Sequence, residues 1–354
     1  MCSKVRNQEN SVIQINKRVI YYDILNILAC IAVVFLHCNG AVHNFRNTRL
    51  WKECLVIEVL CYFAVPIFIM ISGATLLKYR ERYTTKQYFN KRIEKVVIPW
   101  LIWSFIVYIV HNKNLNLMNF ANKFINGKIE TIYWFFPLII YLYCIIPILS
   151  ILTDKIEYRK TMWYIVGFIF LFQSLLQPVC KILDINFPSV LNYMVGQNSY
   201  IIYLLLGYML STSKLSRGKK LGIYVVAIIS LLFKYLYTMY VSINTGILNK
   251  DSWGYTVFTG VFPAIAVFIF VKDINWEKIL DKIKIDTKIL TQLASCSFGV
   301  YLMHMLVKSK MVNLFNINTS SYFYRLIFPF ILYIICVTIV FIIKKIPIVK
   351  KIVP

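Results

Sequence analysis

At 354 residues, 59% of them hydrophobic, 16% aromatic and only 15% charged, the chain is too apolar for a water-soluble domain and reads as a polytopic membrane protein. Its net charge of +24 would point to nucleic acid in a soluble protein, but here the basic residues gather in short gaps between apolar runs, where they orient helices. No nucleic-acid partner is expected. The nine cysteines form no CxxC pair and several lie inside apolar runs, so neither a disulfide framework nor a metal site is read from them.

Ten apolar stretches near the length a helix needs to cross a bilayer follow one another: 20–38, 54–77, 96–110, 132–152, 162–176, 189–210, 221–241, 255–271, 289–307 and 322–343. Polar residues precede the first run and no small-residue cleavage site follows it, so it reads as a retained helix and not as a signal peptide. About two-thirds of the 39 Lys and Arg fall in the terminal segments and the even-numbered connections, which puts that side, with both termini, in the cytoplasm. The expected fold is all-α, a polytopic integral membrane bundle of about ten transmembrane helices. It forms a single domain over 1–354, with a cytoplasmic segment at 1–19 and a cytoplasmic tail at 344–354. No connection has room for an appended soluble domain, so the chemistry is expected inside the membrane.

The first run carries Asp23, Asn26, Cys30 and His37 at helical spacing, a polar strip on one broad face. An imidazole at membrane depth marks a catalytic group, a relay or a substrate path, against the alternative of a structural histidine bonded to a neighbouring helix. In the second run, Glu58 lies at a comparable outer depth and would orient His37 by a charge-assisted hydrogen bond, or else is simply solvated at the headgroup boundary. Ser72 and Gly73, further along it, would let the backbone approach a ligand or let helices pack tightly. Ahead of the third run, Lys91, Arg92 and Lys95 with Lys86 make a cationic patch able to hold phosphates, or else only enforce topology. Trp134, Tyr143 and Tyr301 offer flat faces to a sugar or an adenine, or serve as packing and interface anchors. Lys234 is a second intramembrane charge, read as snorkelling or pairing across helices as readily as catalytic, and Arg325 is read as snorkelling. In the ninth run, Ser297, Tyr301 and His304 repeat the polar strip at the depth of His37. The two strips would line a common cavity.

Six stretches, DILNILACIAVVFLH, FAVPIFIMISGATLL, KRIEKVVIPW, YWFFPLIIYLYCIIP, YLLLGYML and SFGVYLMH, together resemble the acyltransferase 3 family, integral membrane enzymes that O-acylate bacterial cell-surface carbohydrates. They occur in the family's order along the chain, in the short, stand-alone form without an extracellular esterase-like domain. The resemblance implies that His37 is the histidine essential to acyl transfer and that Lys91, Arg92 and Lys95 meet the phosphates of coenzyme A. It departs at Asn26, where the family commonly has an arginine, and in the fourth run, where an acidic residue often present is missing. Asparagine supplies a hydrogen bond but no charge.

What the resemblance implies is an O-acyltransferase, of the acetyl-CoA-dependent kind, in the bacterial plasma membrane. A cytoplasmic acyl-CoA would be held at Lys91, Arg92 and Lys95 and thread its arm toward His37. The acceptor would be a sugar hydroxyl on a surface polysaccharide or its lipid-linked precursor, with membrane lipid around the enzyme. His37 would act as general base or carry the acyl group, assisted by Glu58, in a cavity lined by Asn26, Ser72, Trp134, Tyr301 and His304. No permanently bound cofactor and no metal is expected. The competing class is a transporter or flippase for a glycan or lipid-linked precursor, which would be expected to show internal repeats and matched broken helices.

Overall fold

The computed structural model describes residues 18–112, 114–188, 200–347 and 349–354. Its helices are α1 (Ile20–Cys38), α2 (Arg49–Cys61), α3 (Ala64–Leu76), α4 (Thr85–Arg92), α5 (Ile98–His111), α6 (Leu117–Ile125), α7 (Phe135–Leu149) and α8 (Tyr158–Ile169). They continue with α9 (Gln177–Ile182), α10 (Ile201–Ser211), α11 (Arg217–Thr245), α12 (Phe258–Asp273), α13 (Trp276–Lys282), α14 (Thr287–Leu314) and α15 (Phe328–Lys345). Among the described residues, eight continuous helical segments, several of them joining two of these helices, are long and apolar enough to span a membrane, or nine where α12 and α13, bent by 60° at their junction, are taken as one span. The sixth expected span is represented by the short apolar helix α10, its first part falling outside the described residues. The expected segment 1–19 likewise lies outside them except for Arg18 and Val19. The chain is an all-α, multi-pass membrane bundle of about ten segments.

Prolines explain four of the irregular places in the spans. A proline lacks an N–H and its ring clashes with the carbonyl four residues earlier, so an interior proline demands local relief. Three π-helical turns, Ile93–Val97, Phe170–Leu176 and Phe323–Ile327, each end two residues before a proline: Pro99, Pro178 and Pro329. Each turn contains the residue whose carbonyl would clash, Lys95, Ser174 and Arg325 respectively. The break between α2 and α3 has the same origin, because Pro66 disallows the usual bond to Tyr62, at the break itself.

One boundary differs substantially from the sequence expectation. The third span begins at Thr85, not near residue 96, because Thr84 and Gln87 form a reciprocal capping box that starts the helix in polar sequence. Lys86, Lys91, Arg92 and Lys95 therefore lie on a helix and its π turn rather than in a connection.

α1 is central, packing on α14, α3, α15 and α2, while α3 packs most extensively on α10. At that crossing Gly73 and Gly207 are reciprocal: a Cβ on Gly73 would sit against the Leu204 backbone, and one on Gly207 against the Met70 backbone. Small residues let membrane helices approach this closely. Gly73 is thus a packing residue. Gly207→Ala is expected to lower stability by at least about 1–3 kcal/mol, since backbone atoms cannot yield as side chains do. Thermal unfolding in detergent measures it, with Gly222→Ala, where the added Cβ meets open space, as the control.

Candidate active site

α1 and α14 run parallel, held by polar contacts that climb both helices together. Thr291 donates to Asp23 (3.1 Å), Asn26 to the Ala294 carbonyl (3.0 Å), the Cys30 thiol to the Ser297 carbonyl (3.7 Å), and Lys308 Nζ to the His37 carbonyl (2.9 Å). Hydrogen-bonding side chains between membrane helices fix their register. Near the top of this ladder the His37 and His304 rings come together, centroids 5.1 Å apart and tilted by 36°. His304 is fully buried and its Nδ1 lies 3.0 and 2.9 Å from the carbonyls of Val300 and Tyr301. Carbonyls only accept, so Nδ1 carries the proton and Nε2 the lone pair. That Nε2 is buried without a hydrogen-bond partner.

Three cavities lie around this layer, and two of them reach His37. An inner one of about 320 Å³ is lined by Asn26, Ser72, Tyr143, Ser297, Phe135 and Tyr301, among others. A second, of about 410 Å³, is lined by His37, Glu58, Trp134, Trp253, Tyr255 and Tyr301. A third, of about 470 Å³, reaches His37 from beside Arg46, Thr48, Trp51 and Lys308. His37 is shared by the second and third cavities and Tyr301 by the first and second. His43 also lines the second cavity; burial and the neighbouring Lys250 push its imidazole below the ordinary histidine range, which keeps it neutral at neutral pH.

Glu58 shares the second cavity with His37 but bonds elsewhere. Its Oε2 accepts from Asn39 Nδ2 at 3.2 Å, and the same Nδ2 lies 2.8 Å from the Cys54 carbonyl. Asn39 caps the C-terminus of α1, so Glu58 braces the backbone just beyond His37 rather than its ring. Lys234 is fully buried, its Nζ 3.2 Å from the centroid of the Tyr62 ring and without a hydrogen-bond partner. Glu58 is the carboxylate that opposes its charge. Tyr62 stacks on Tyr255 (4.3 Å, 18°), and Tyr255 on Trp134 (5.8 Å, 21°). The buried Lys234 thus underlies a column of aromatic rings in the cavity wall. Arg325 does not snorkel: its side chain is buried and pairs with Glu53 at 3.2 Å.

Residues 19–345, nearly the whole chain, match the family described as the acyltransferase domain, acyltransferase 3. The chain belongs to the acyltransferase 3 family. It is a multi-pass membrane acyltransferase, and the expected resemblance holds over its length. No curated protein and no solved structure matches it.

Several cations lie around the inner cavity. Arg92 lies over the ring of Tyr143, 5.5 Å from its centroid, and Tyr143 lines the cavity. Its Nε is buried and unpartnered. Lys91 and Lys95 are exposed and lie outside the cavity wall, Lys91 over the Tyr83 ring at 4.0 Å. Two cations that the sequence marked only as topology charges join them. Arg18 lines the cavity and pairs with Asp23 through two bonds of 2.8 and 2.7 Å. Lys344 reaches the carbonyl and hydroxyl of Ser295 (2.8 and 3.1 Å), itself a lining residue. The tail expected at 344–354 packs against the bundle: Lys344 and Lys345 end α15, the Ile352 carbonyl accepts from Trp103, Val353 is buried and Pro354 lines this cavity.

Proposed function

We propose that this acyltransferase moves an acetyl group from a cytoplasmic acetyl-CoA to a sugar hydroxyl of a bacterial cell-surface polysaccharide, or of its lipid-linked precursor, at the plasma membrane. The observation that carries the proposal is the histidine pair, His37 beside His304, at a layer reached by a cation-rimmed cavity from one end and an aromatic-walled cavity from the other. Phosphates of the donor sit among Arg18, Arg92, Lys95, Lys344 and Lys91, with arginine offering bidentate contacts and lysine point charges. The thioester arm follows Asn26, Ser72 and Ser297 upward. The sugar lies against Trp134, the end ring of the column, whose outer face suits the C–H face of a pyranose, with the edges of Tyr255 and Tyr62 beside it.

His37 accepts the proton of the sugar hydroxyl as its oxygen attacks the thioester carbonyl; the C–S bond then breaks and the proton passes to the departing thiolate. A small rotation of the His37 ring brings its N–H to the unpartnered Nε2 of His304, which leaves the opposite imidazole nitrogen of His37 free to act as base. Glu58 supports the geometry through Asn39. The test uses purified protein in liposomes with a lipid-linked glycan extract and acetyl-CoA labelled in the acetyl group. Label is expected to move onto carbohydrate. Carbohydrate that crosses the bilayer without gaining label would replace the enzyme by the carrier.

A further inference from the structure

The inner cavity and the aromatic-walled cavity share one lining residue, Tyr301. Its ring is wedged against Phe135 and Phe136, centroids 5.7 and 5.6 Å away, and against His304 at 5.9 Å. Phe135 lines the inner cavity and its chain neighbour Trp134 the other, so the boundary between the two falls at this level. The ring is also tied down. The Tyr301 hydroxyl donates to the Ile132 carbonyl, and Tyr133 returns a bond to the Leu302 carbonyl at 2.8 Å. A clasp of two bonds between α14 and the turn Thr131–Trp134 therefore sets the ring in place.

We infer that Tyr301 is the partition between the donor side and the acceptor side, and that it decides whether the acyl group goes to a sugar or to water. The inference rests on the proposed transfer only for its consequence; the partition itself is a matter of access. A thioester arm rising from the inner cavity meets the Tyr301 ring directly before the His37 and His304 layer. While the ring is in place, water from the acceptor side has no route to the thioester. Displacement of the ring by the arriving arm opens the route, and the arm fills it. With the ring removed, water adds to the thioester carbonyl, the C–S bond breaks, and acetate and the free thiol of coenzyme A leave.

The test compares Tyr301→Ala with Tyr301→Phe in a Ser72→Cys background, Ser72 lying in the inner cavity. A membrane-impermeant methanethiosulfonate reagent is applied outside intact cells, and modification at position 72 is read by tandem mass spectrometry. Inside-out membranes serve as the positive control. With tyrosine or phenylalanine at 301, position 72 is expected to stay unmodified from outside; in Tyr301→Ala its labelling rises at least about tenfold. Phenylalanine keeps the ring and loses only the hydroxyl, so it separates a partition from a folding role. Equal labelling in all three proteins, or no labelling in Tyr301→Ala, would overturn the inference. Acceptor-free thiol release from acetyl-CoA, expected to rise in Tyr301→Ala alone, reads the chemical consequence. Its absence together with the labelling difference would remove the proposed donor and leave the partition intact.

Discussion

Replacing His37 by alanine is expected to lower acyl transfer about 10²–10⁴-fold, the range a positioned general acid or base contributes. The loss should appear in kcat, with donor affinity nearly unchanged, because the cations of the inner cavity lie at the other end of α1. Helix geometry separates His37 from Asn26 by three turns, about 16 Å at 1.5 Å per residue. A steady-state titration of labelled acetyl-CoA against both proteins separates the two parameters. His304→Ala should cost less than His37→Ala, since His304 orients and His37 takes the proton. In the double variant the two losses should not add, as befits groups that act as a unit.

The second large effect concerns stability. Glu58→Gln preserves a partner for Asn39 but removes the carboxylate that opposes the fully buried Lys234. Leaving a buried polar group without the one that complements it typically costs about 1–3 kcal/mol. The variant is expected to lose much of its thermal stability in detergent. Lys234→Met keeps the length of the side chain over Tyr62 and removes the charge, so the pair Glu58→Gln with Lys234→Met should recover part of the loss. A coupling of about 0.5–3 kcal/mol between the two sites is the expected reading of the double-mutant cycle. Simple addition of the two losses would mean that Glu58 and Lys234 do not sense each other.

Much of this was legible in the sequence for a clear physical reason. Helical periodicity put Asp23, Asn26, Cys30 and His37 on one face, and Ser297, Tyr301 and His304 on one face of another span; buried polar groups in a bilayer must find partners, so two such faces were bound to meet. The structure pairs α1 with α14 in that way. What escaped was tertiary. That Lys234 ends over Tyr62 and opposite Glu58 depends on how α11 packs against α2, which no local pattern encodes. Arg325 looked like a snorkelling cation because its position near a span end was visible and its partner Glu53 was not. Arg18 and Lys344 counted only as topology charges because the inner cavity they border exists only after α1, α14 and α15 assemble. The start of the third span, by contrast, could have been read from Thr84 and Gln87, a capping signature upstream of the apolar run. The three π turns had a signal too, in the prolines that follow them, but the length of relief each needs is set by packing.

Asn26 keeps its meaning as a departure from the family's arginine. Its amide bonds the Ala294 carbonyl while Arg18, on the residue pair with Asp23, brings a guanidinium to the same cavity wall.

The measurement that bears most directly on His37 as the acyl-transfer histidine is the O-acyl content of the cell-surface carbohydrate, by mass spectrometry, in cells carrying the intact chain, His37→Ala at equal protein level, or neither. The account predicts acylated glycan only with the intact chain. Undiminished acylation with His37→Ala would contradict it.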